Sequence, residues 1–244
     1  MTESTPKKST PPAPKPKVHV RTVGCPKNLV DSELMMGAFG ASDYEMADAA
    51  DDADVLVVNT CGFIAMAREA SIQAILDMAK VKEGKKKARL VVTGCLSQRF
   101  ADELVSELPE VDLFVGSGSA TEVPSMVEEL PQEKSPELRV PVVRVGKPGT
   151  LYDPDTPRTS TGVGYSSYVK IAEGCSQKCT FCIIPTIKGG MVSSEYSQII
   201  ADAKKHVAAG ARELIIIGQD TTAFGEDWGS RDGLADLLEV LSGS

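Results

Sequence analysis

The sequence predicts an α/β protein: an open parallel-sheet N-terminal domain followed by the first two strand–helix units of a truncated (β/α) barrel. Three observations predict it. Continuous apolar runs such as ADVLVVNT (53–60) and ARLVVTG (88–94) lack period-two alternation, as strands buried on both faces do. Segments with a 3.6-residue apolar period separate these runs, and strand–helix alternation of this kind builds a parallel sheet covered by helices. After a proline-rich stretch the alternation resumes, and two units then reach the last residue.

The elements follow in order. VHVRTVG (18–24) reads as a strand, with a helix from about Asn28 to Phe39. ADVLVVNT is the second strand, and the next helix sets Ile72, Ile75, Leu76 and Ala79 on one face. The lysines of EGKKKAR (83–89) mark a solvated turn before the ARLVVTG strand. Phe100, Leu104, Val105 and Leu108 mark a helix that stops at Pro109, and VDLFVGS (111–117) supplies a fourth strand. Prolines crowd residues 131–164, around RVPVVRVG and PDTPRTSTGVG, so this stretch reads as a connection with one extended segment packed on a neighbour. YSSYVKIA (165–172) is a strand that enters a cysteine-rich loop. A helix then carries Ile199, Ile200, Ala203 and Val207, with Gly210 as its C′ residue. ELIIIGQD (213–220) and GLADLLEVL (233–241) complete the second strand–helix unit. Two units alone leave a sheet edge open, as the opening of a larger barrel would. The expected organisation is a disordered tail at 1–17, an N-terminal domain at 18–130, a linker at 131–164 and an incomplete barrel at 165–244.

Composition narrows the function. Hydrophobic residues make up 42% of 244, enough for a substantial core. A formal charge of −8 argues against direct nucleic-acid binding, which needs a basic surface. No apolar run reaches the ~18 residues of a membrane span. Residues 1–17 (MTESTPKKSTPPAPKPK) have neither the apolar core of a secretory signal nor the arginines of a transit peptide. The expected compartment is the cytoplasm, where six cysteines point to metal or catalysis rather than disulfides.

Those six fall into two sets of three. TVGC, VNTC and VTGC place Cys25, Cys61 and Cys95 each just past the carboxyl end of an expected parallel strand. Ligands collect along that edge of an open sheet, beside helix N-termini that favour an anionic group. A lone cysteine there would often be a small buried hydrophobe; three at one topological position point to a shared ligand. In the second half EGCSQKCTFCIIP (173–185) spaces Cys175, Cys179 and Cys182 as C-x3-C-x2-C in a strand-to-helix loop. Zinc takes four closed ligands, or three with a water. Three thiolates without histidine support fit a four-iron cluster better, with one iron left for a small molecule.

C-x3-C-x2-C in the first strand–helix loop of a barrel resembles the radical S-adenosylmethionine enzymes, and YVKIAEGCSQKCTFCIIP resembles their methylthiotransferase branch. That branch carries three separated cysteines in an N-terminal domain, matching Cys25, Cys61 and Cys95. The resemblance runs from about Val18 to the last residue. TVGCPKNLVDSE (22–33) and GQDTTAFG (218–225) resemble the members that modify an aspartate of ribosomal protein S-twelve; the tRNA-modifying members generally carry Gln-Met at Pro26-Lys27. The resemblance implies two 4Fe-4S clusters, S-adenosyl-L-methionine as cofactor, and methylthiolation of the aspartate β-carbon. It also implies an electron donor such as a flavodoxin or ferredoxin. Gln219, Asp220, Thr221 and Thr222 are candidates for contact with the methionyl amino group or ribose, while Glu173 and Gly174 shape the loop. Trp228 and His206 read as a loop aromatic and an exposed helix residue. The chain departs from the family where an Arg-Gly and a Ser-Arg pair are usual: Lys188-Gly189 and Ser193-Ser194 stand there. Other readings are tRNA methylthiolation, a catalytically inactive cluster-binding fragment, a two-cluster electron carrier and a zinc-binding module.

Overall fold

A computed structural model describes residues 14–85, 87–131, 140–148, 151–162 and 164–243. Residues 1–13 of the expected tail lie outside them, as does Lys86 of the lysine turn. β1 (Lys17–Thr22) leads into α1 (Pro26–Ala41), which begins with a proline where its missing N–H has no intrahelical partner to lose. There follow β2 (Glu45–Met46), β3 (Val55–Thr60), α2 (Ala65–Glu83), β4 (Arg89–Gly94), α3 (Cys95–Glu107), β5 (Leu113–Val115), α4 (Val123–Glu128) and β6 (Val142–Arg144). The six strands form one sheet in the order β2-β1-β3-β4-β5-β6, parallel throughout.

The apolar runs divide by strand period. Leu56, Val58, Leu90 and Val92 face α2 and α3 with Ile75 and Phe114, whereas Val55, Val57, Val91 and Val115 face α1 and α4 with Met35 and Phe39. Four of the six strands match expected runs. β2 and β6 are edge strands of two and three residues, too short to carry a period. β6 arises within RVPVVRVG, where Val142–Arg144 pairs with Leu113–Val115 and covers the edge of β5. α2 buries Ser71, Ala74, Ile75, Met78 and Ala79, while Ile72 and Leu76 are each 37% exposed. The buried stripe is thus rotated from the expected face, because the small Ser71 and Ala74 let the helix lie close to β3 and β4. α3 departs from helical geometry at Phe100 (φ −133°, ψ 24°).

The second half contains β7 (Ser166–Lys170), β8 (Ala172–Glu173), α5 (Ile184–Lys188), β9 (Val192–Ser193), α6 (Tyr196–Ala208), β10 (Glu213–Ile217) and α7 (Gly233–Ser242). β7 and β10 pair in parallel, Ser166 opposite Glu213 and Lys170 opposite Ile217. β8 and β9 form an antiparallel bracket around the cysteine loop. A capping box between Glu195 and Gln198 starts α6, and Gly210 follows its C-cap as expected. Val169, Ile171, Ile199, Phe224 and Leu237 make the core of this half. Trp228 stands edge-on to Tyr196 and Phe224, with ring centroids 5.6 and 5.3 Å away.

Residues 152–161, within the expected linker, are a strap between the halves. Arg158 Nε and Nη2 donate to Glu33 Oε2 of α1 at 2.8 and 2.7 Å, and Nη1 donates to the Tyr168 carbonyl at 2.9 Å. Thr161 N–H and hydroxyl donate to Glu33 Oε1 at 2.7 and 3.0 Å, and the Tyr152 hydroxyl donates to Asp202 of α6 at 3.1 Å. His206 is not the exposed residue expected: its Nε2 lies 2.9 Å from Arg158 Nη1, covered by the strap. Among the described residues no helix is long and apolar enough to cross a membrane.

Candidate metal and cofactor site

Cys25 is the N-cap of α1, Cys61 follows β3 directly, and Cys95 is the first residue of α3. The strands behind them, β1, β3 and β4, are adjacent. With strands ~4.8 Å apart, three neighbouring strand ends span only about 10 Å. The loops touch: a methyl group on Gly24 would lie 3.0 Å from the Cys61 Cβ, and one on Gly62 would lie 2.5 Å from the Cys95 carbonyl oxygen. Burial pushes the Cys95 thiol up to about 11; the Lys188 ammonium pulls it back, and Cys61, Asp31 and Cys25 push it further up.

A polar lattice fixes these loops. Asn28 Nδ2 donates to Asn59 Oδ1 at 3.1 Å and to the Thr60 carbonyl at 3.0 Å, and Asn59 Nδ2 returns to the Asn28 carbonyl at 2.9 Å. The Cys25 thiol donates to Asn28 Oδ1 at 3.2 Å. The Cys61 N–H donates to Ser71 Oγ at 3.0 Å. Asn28, Asn59 and Ser71 were not singled out from sequence, because a buried amide or hydroxyl has no spacing signature; only the partners reveal the role. Gly94 takes φ +97°, and a Cβ there would stand 2.5 Å from both Asn59 Oδ1 and the Thr60 carbonyl oxygen. Only glycine delivers Cys95 to this position.

The second set lies on the loop from β8 to α5. Cys175 is buried, Cys182 half-buried and Cys179 exposed, and all six cysteines are free thiols. Cys175 N–H donates to the Gly189 carbonyl at 3.1 Å, and Cys182 N–H to the Cys179 carbonyl at 3.1 Å. Gly174 at φ +77° brings the start of the loop against its end, 2.2 Å from a would-be Cβ to the Gly190 carbonyl oxygen. Among the described residues no three His, Cys, Asp or Glu side chains cluster tightly enough for a single metal ion. Thiolates on one tetrahedral ion, each bonded at about 2.3 Å, must lie within about 4 Å of one another.

Hydrogen bonds tie the two halves together. Lys27 Nζ, two residues after Cys25, donates to the Gly218 carbonyl at 3.2 Å, and Ser117 Oγ after β5 donates to the Ile187 carbonyl of α5 at 3.2 Å. Between them lies a buried charge quartet. Lys170 Nζ is 2.8 Å from Asp31 Oδ1 and 2.8 Å from Glu173 Oε2; Lys188 Nζ is 3.3 Å from Asp31 Oδ2 and 3.4 Å from Glu173 Oε1. Burial opposes ionisation of all four, and the facing charges more than offset it. Both carboxyls are held below the usual carboxylate range and both ammoniums above the usual lysine range. Lys188 stands where the family commonly has arginine: a compact ammonium serves carboxylates from two different elements without a planar fork to orient. Ser193 and Ser194 instead act as backbone anchors, Ser193 Oγ accepting from Gly225 N–H at 3.0 Å and Ser194 N–H donating to the Ile171 carbonyl at 2.8 Å. Lys170 carried a signal in the sequence, a charge inside the apolar run YVKIA, which buries only if paired.

Of the four candidate cofactor contacts, Gln219 reaches the quartet. Its Nε2 donates to the Glu173 carboxylate, and its buried Oε1 has no partner among the described residues. Thr222 Oγ1 donates to Asp220 Oδ1 at 2.7 Å, so these two satisfy each other at the rim, with half-buried Thr221 between them.

Comparisons with known proteins find relatives in sequence and neighbours in fold. The model of the family described as uncharacterized protein family UPF0004 matches residues 17–116. The ribosomal protein uS12 methylthiotransferase RimO of Trichlorobacter lovleyi is 42% identical over 93% of this chain and 50% of its own length. Its namesake in Myxococcus xanthus is 43% identical over 92% and 45%. The chain spans about half the length of the curated relatives it matches. Among solved structures, the radical S-adenosylmethionine methyltransferase TsrM of Kitasatospora setae, with tryptophan and a cofactor analogue bound, matches 92% of this chain and 50% of its own. The TM-score is 0.59 at 12% identity, a likeness of fold. A second TsrM structure, with cobalamin and a [4Fe-4S] cluster, gives a TM-score of 0.58 at 15% identity. With thiols at three adjacent strand ends and a separate C-x3-C-x2-C loop, the chain is similar over nearly all its length to about half of the ribosomal protein uS12 methylthiotransferases named RimO.

Proposed function

We propose that this chain carries the two iron–sulfur sites of an enzyme that methylthiolates the β-carbon of an aspartate in ribosomal protein uS12. The observation that carries this reading is the placement of Cys25, Cys61 and Cys95 at the carboxyl ends of three adjacent parallel strands, with the C-x3-C-x2-C loop in the half whose α5 packs against α3. The donor set fits: each triad offers three thiolates to a 4Fe-4S cluster and leaves one iron for a small molecule. When bound, the clusters and S-adenosylmethionine supply the radical chemistry and the sulfur that substitution at an unactivated carbon requires. An electron donor of the flavodoxin or ferredoxin kind supports the reaction.

The protein's own residues position and shield. Asn28, Asn59 and Ser71 hold the first three thiol loops in register. Gly174 and the Cys175–Gly189 hydrogen bond close the base of the second loop. The unpartnered Gln219 Oε1 is an acceptor for an ammonium or hydroxyl of the cofactor. No general acid or base is assigned.

Anaerobic reconstitution tests the reading. Iron and sulfide are each expected near ~8 per chain, and S-adenosylmethionine is expected to perturb the electron paramagnetic resonance spectrum of the reduced protein. Zinc near one or two per chain, or a spectrum indifferent to S-adenosylmethionine, would reject it. Offering ribosomal protein uS12 and tRNA separately to the protein at its relatives' full length decides the substrate; transfer to tRNA alone removes the uS12 assignment.

A further inference from the structure

The charge quartet has members close in sequence to both cysteine sets. Asp31 lies six residues after Cys25, Glu173 two before Cys175, and Lys188 six after Cys182. Asp31 belongs to α1 of the first sheet; the other three belong to β7, β8 and α5 of the second half. One carboxylate therefore grips both ammoniums across the boundary, one oxygen to each. Buried ion pairs return little net stability, since desolvation consumes most of the Coulomb gain. A closed ring of two cations and two anions is better explained by the geometry it enforces.

We propose that the Asp31–Lys170–Glu173–Lys188 quartet is a positioning interlock that sets the separation and orientation of the two thiol triads. Lys188 ties the end of the Cys175–Cys182 loop to the helix that Cys25 caps, and Glu173 ties its beginning to the same point through Lys170. α5 also packs against α3, whose first residue is Cys95, and Ser117 after β5 donates to the Ile187 carbonyl of α5. The proposal deepens the function given above, because a fixed reach matters when both triads serve one substrate. Lys170 and Lys188 are positioning residues, not catalytic ones.

Hydrogen–deuterium exchange on the full metal-free chain tests it with Asp31→Asn, Lys188→Met, Lys188→Arg and the double variant Asp31→Asn/Lys188→Met. Lys188→Met is expected to lower protection in residues 173–190 and, on the other side of the boundary, in residues 25–33, each about a hundredfold, the scale of stranding a buried charge. The double variant keeps the neutral Lys170–Glu173 pair, so its loss should be well below the sum of the single losses. Lys188→Arg should restore protection on both sides. Loosening confined to the substituted side, or additive losses in the double variant, would overturn the interlock. Iron content after reconstitution of the same wild-type preparation is read separately. Failure to load iron rejects the functional reading, while the exchange result still decides the interlock.

Discussion

Cys179→Ala is expected to abolish reductive cleavage of S-adenosylmethionine while leaving about four irons per chain on the first triad. The second triad would keep two thiolates, and no histidine lies near to replace the third; His19 bonds the Ala47 carbonyl at 3.0 Å and His206 is covered by the strap. Cys179 is exposed, so the metal-free chain should lose no more than about 0.5 kcal/mol. The two readouts separate cluster loss from misfolding. Cleavage at the wild-type rate, or iron falling to zero, would refute the assignment of the two triads to separate clusters.

Gly94→Ala is the substitution expected to damage the first triad most without touching a thiol. The added methyl meets Asn59 Oδ1 and the Thr60 carbonyl at 2.5 Å, and the backbone stands at φ +97°. Neither neighbour can withdraw cheaply: Asn59 is locked to Asn28 and Ser32, and Thr60 is paired within the sheet. Strain and overlap together should cost at least ~3 kcal/mol. For a chain of this size that lowers Tm by about 6–12 °C. Iron on the first triad should fall with it, because Cys95 follows Gly94 directly. Thermal unfolding of the metal-free protein together with iron analysis checks both parts; an unchanged Tm with full iron loading would show that the β4–α3 turn tolerates a side chain.

Both expectations rest on features that differ in how they could be read. The C-x3-C-x2-C loop is local, so spacing alone identified it. Cys25, Cys61 and Cys95 were legible through topology, since apolar runs buried on both faces imply parallel strands and parallel strands align their carboxyl ends. The quartet was not legible. Lys170 stood out as a charge inside an apolar run, but Asp31 and Lys188 are 157 positions apart and nothing local marks either as paired. The strap was hidden likewise: proline content marked 131–164 as a connection, and it is long-range partners such as Glu33 and Tyr168 for Arg158 that turn part of it into packed structure.

Periodicity and spacing by themselves determined the α/β class and the order of the main strands and helices, because these depend on neighbours within a few residues. Tertiary structure alone decided that Lys188 faces Asp31 and Glu173, and that Gln219 is the one candidate contact with a buried, unpartnered acceptor among the described residues. Those facts depend on which charges lose their water together, and desolvation is a property of the assembled fold rather than of any segment.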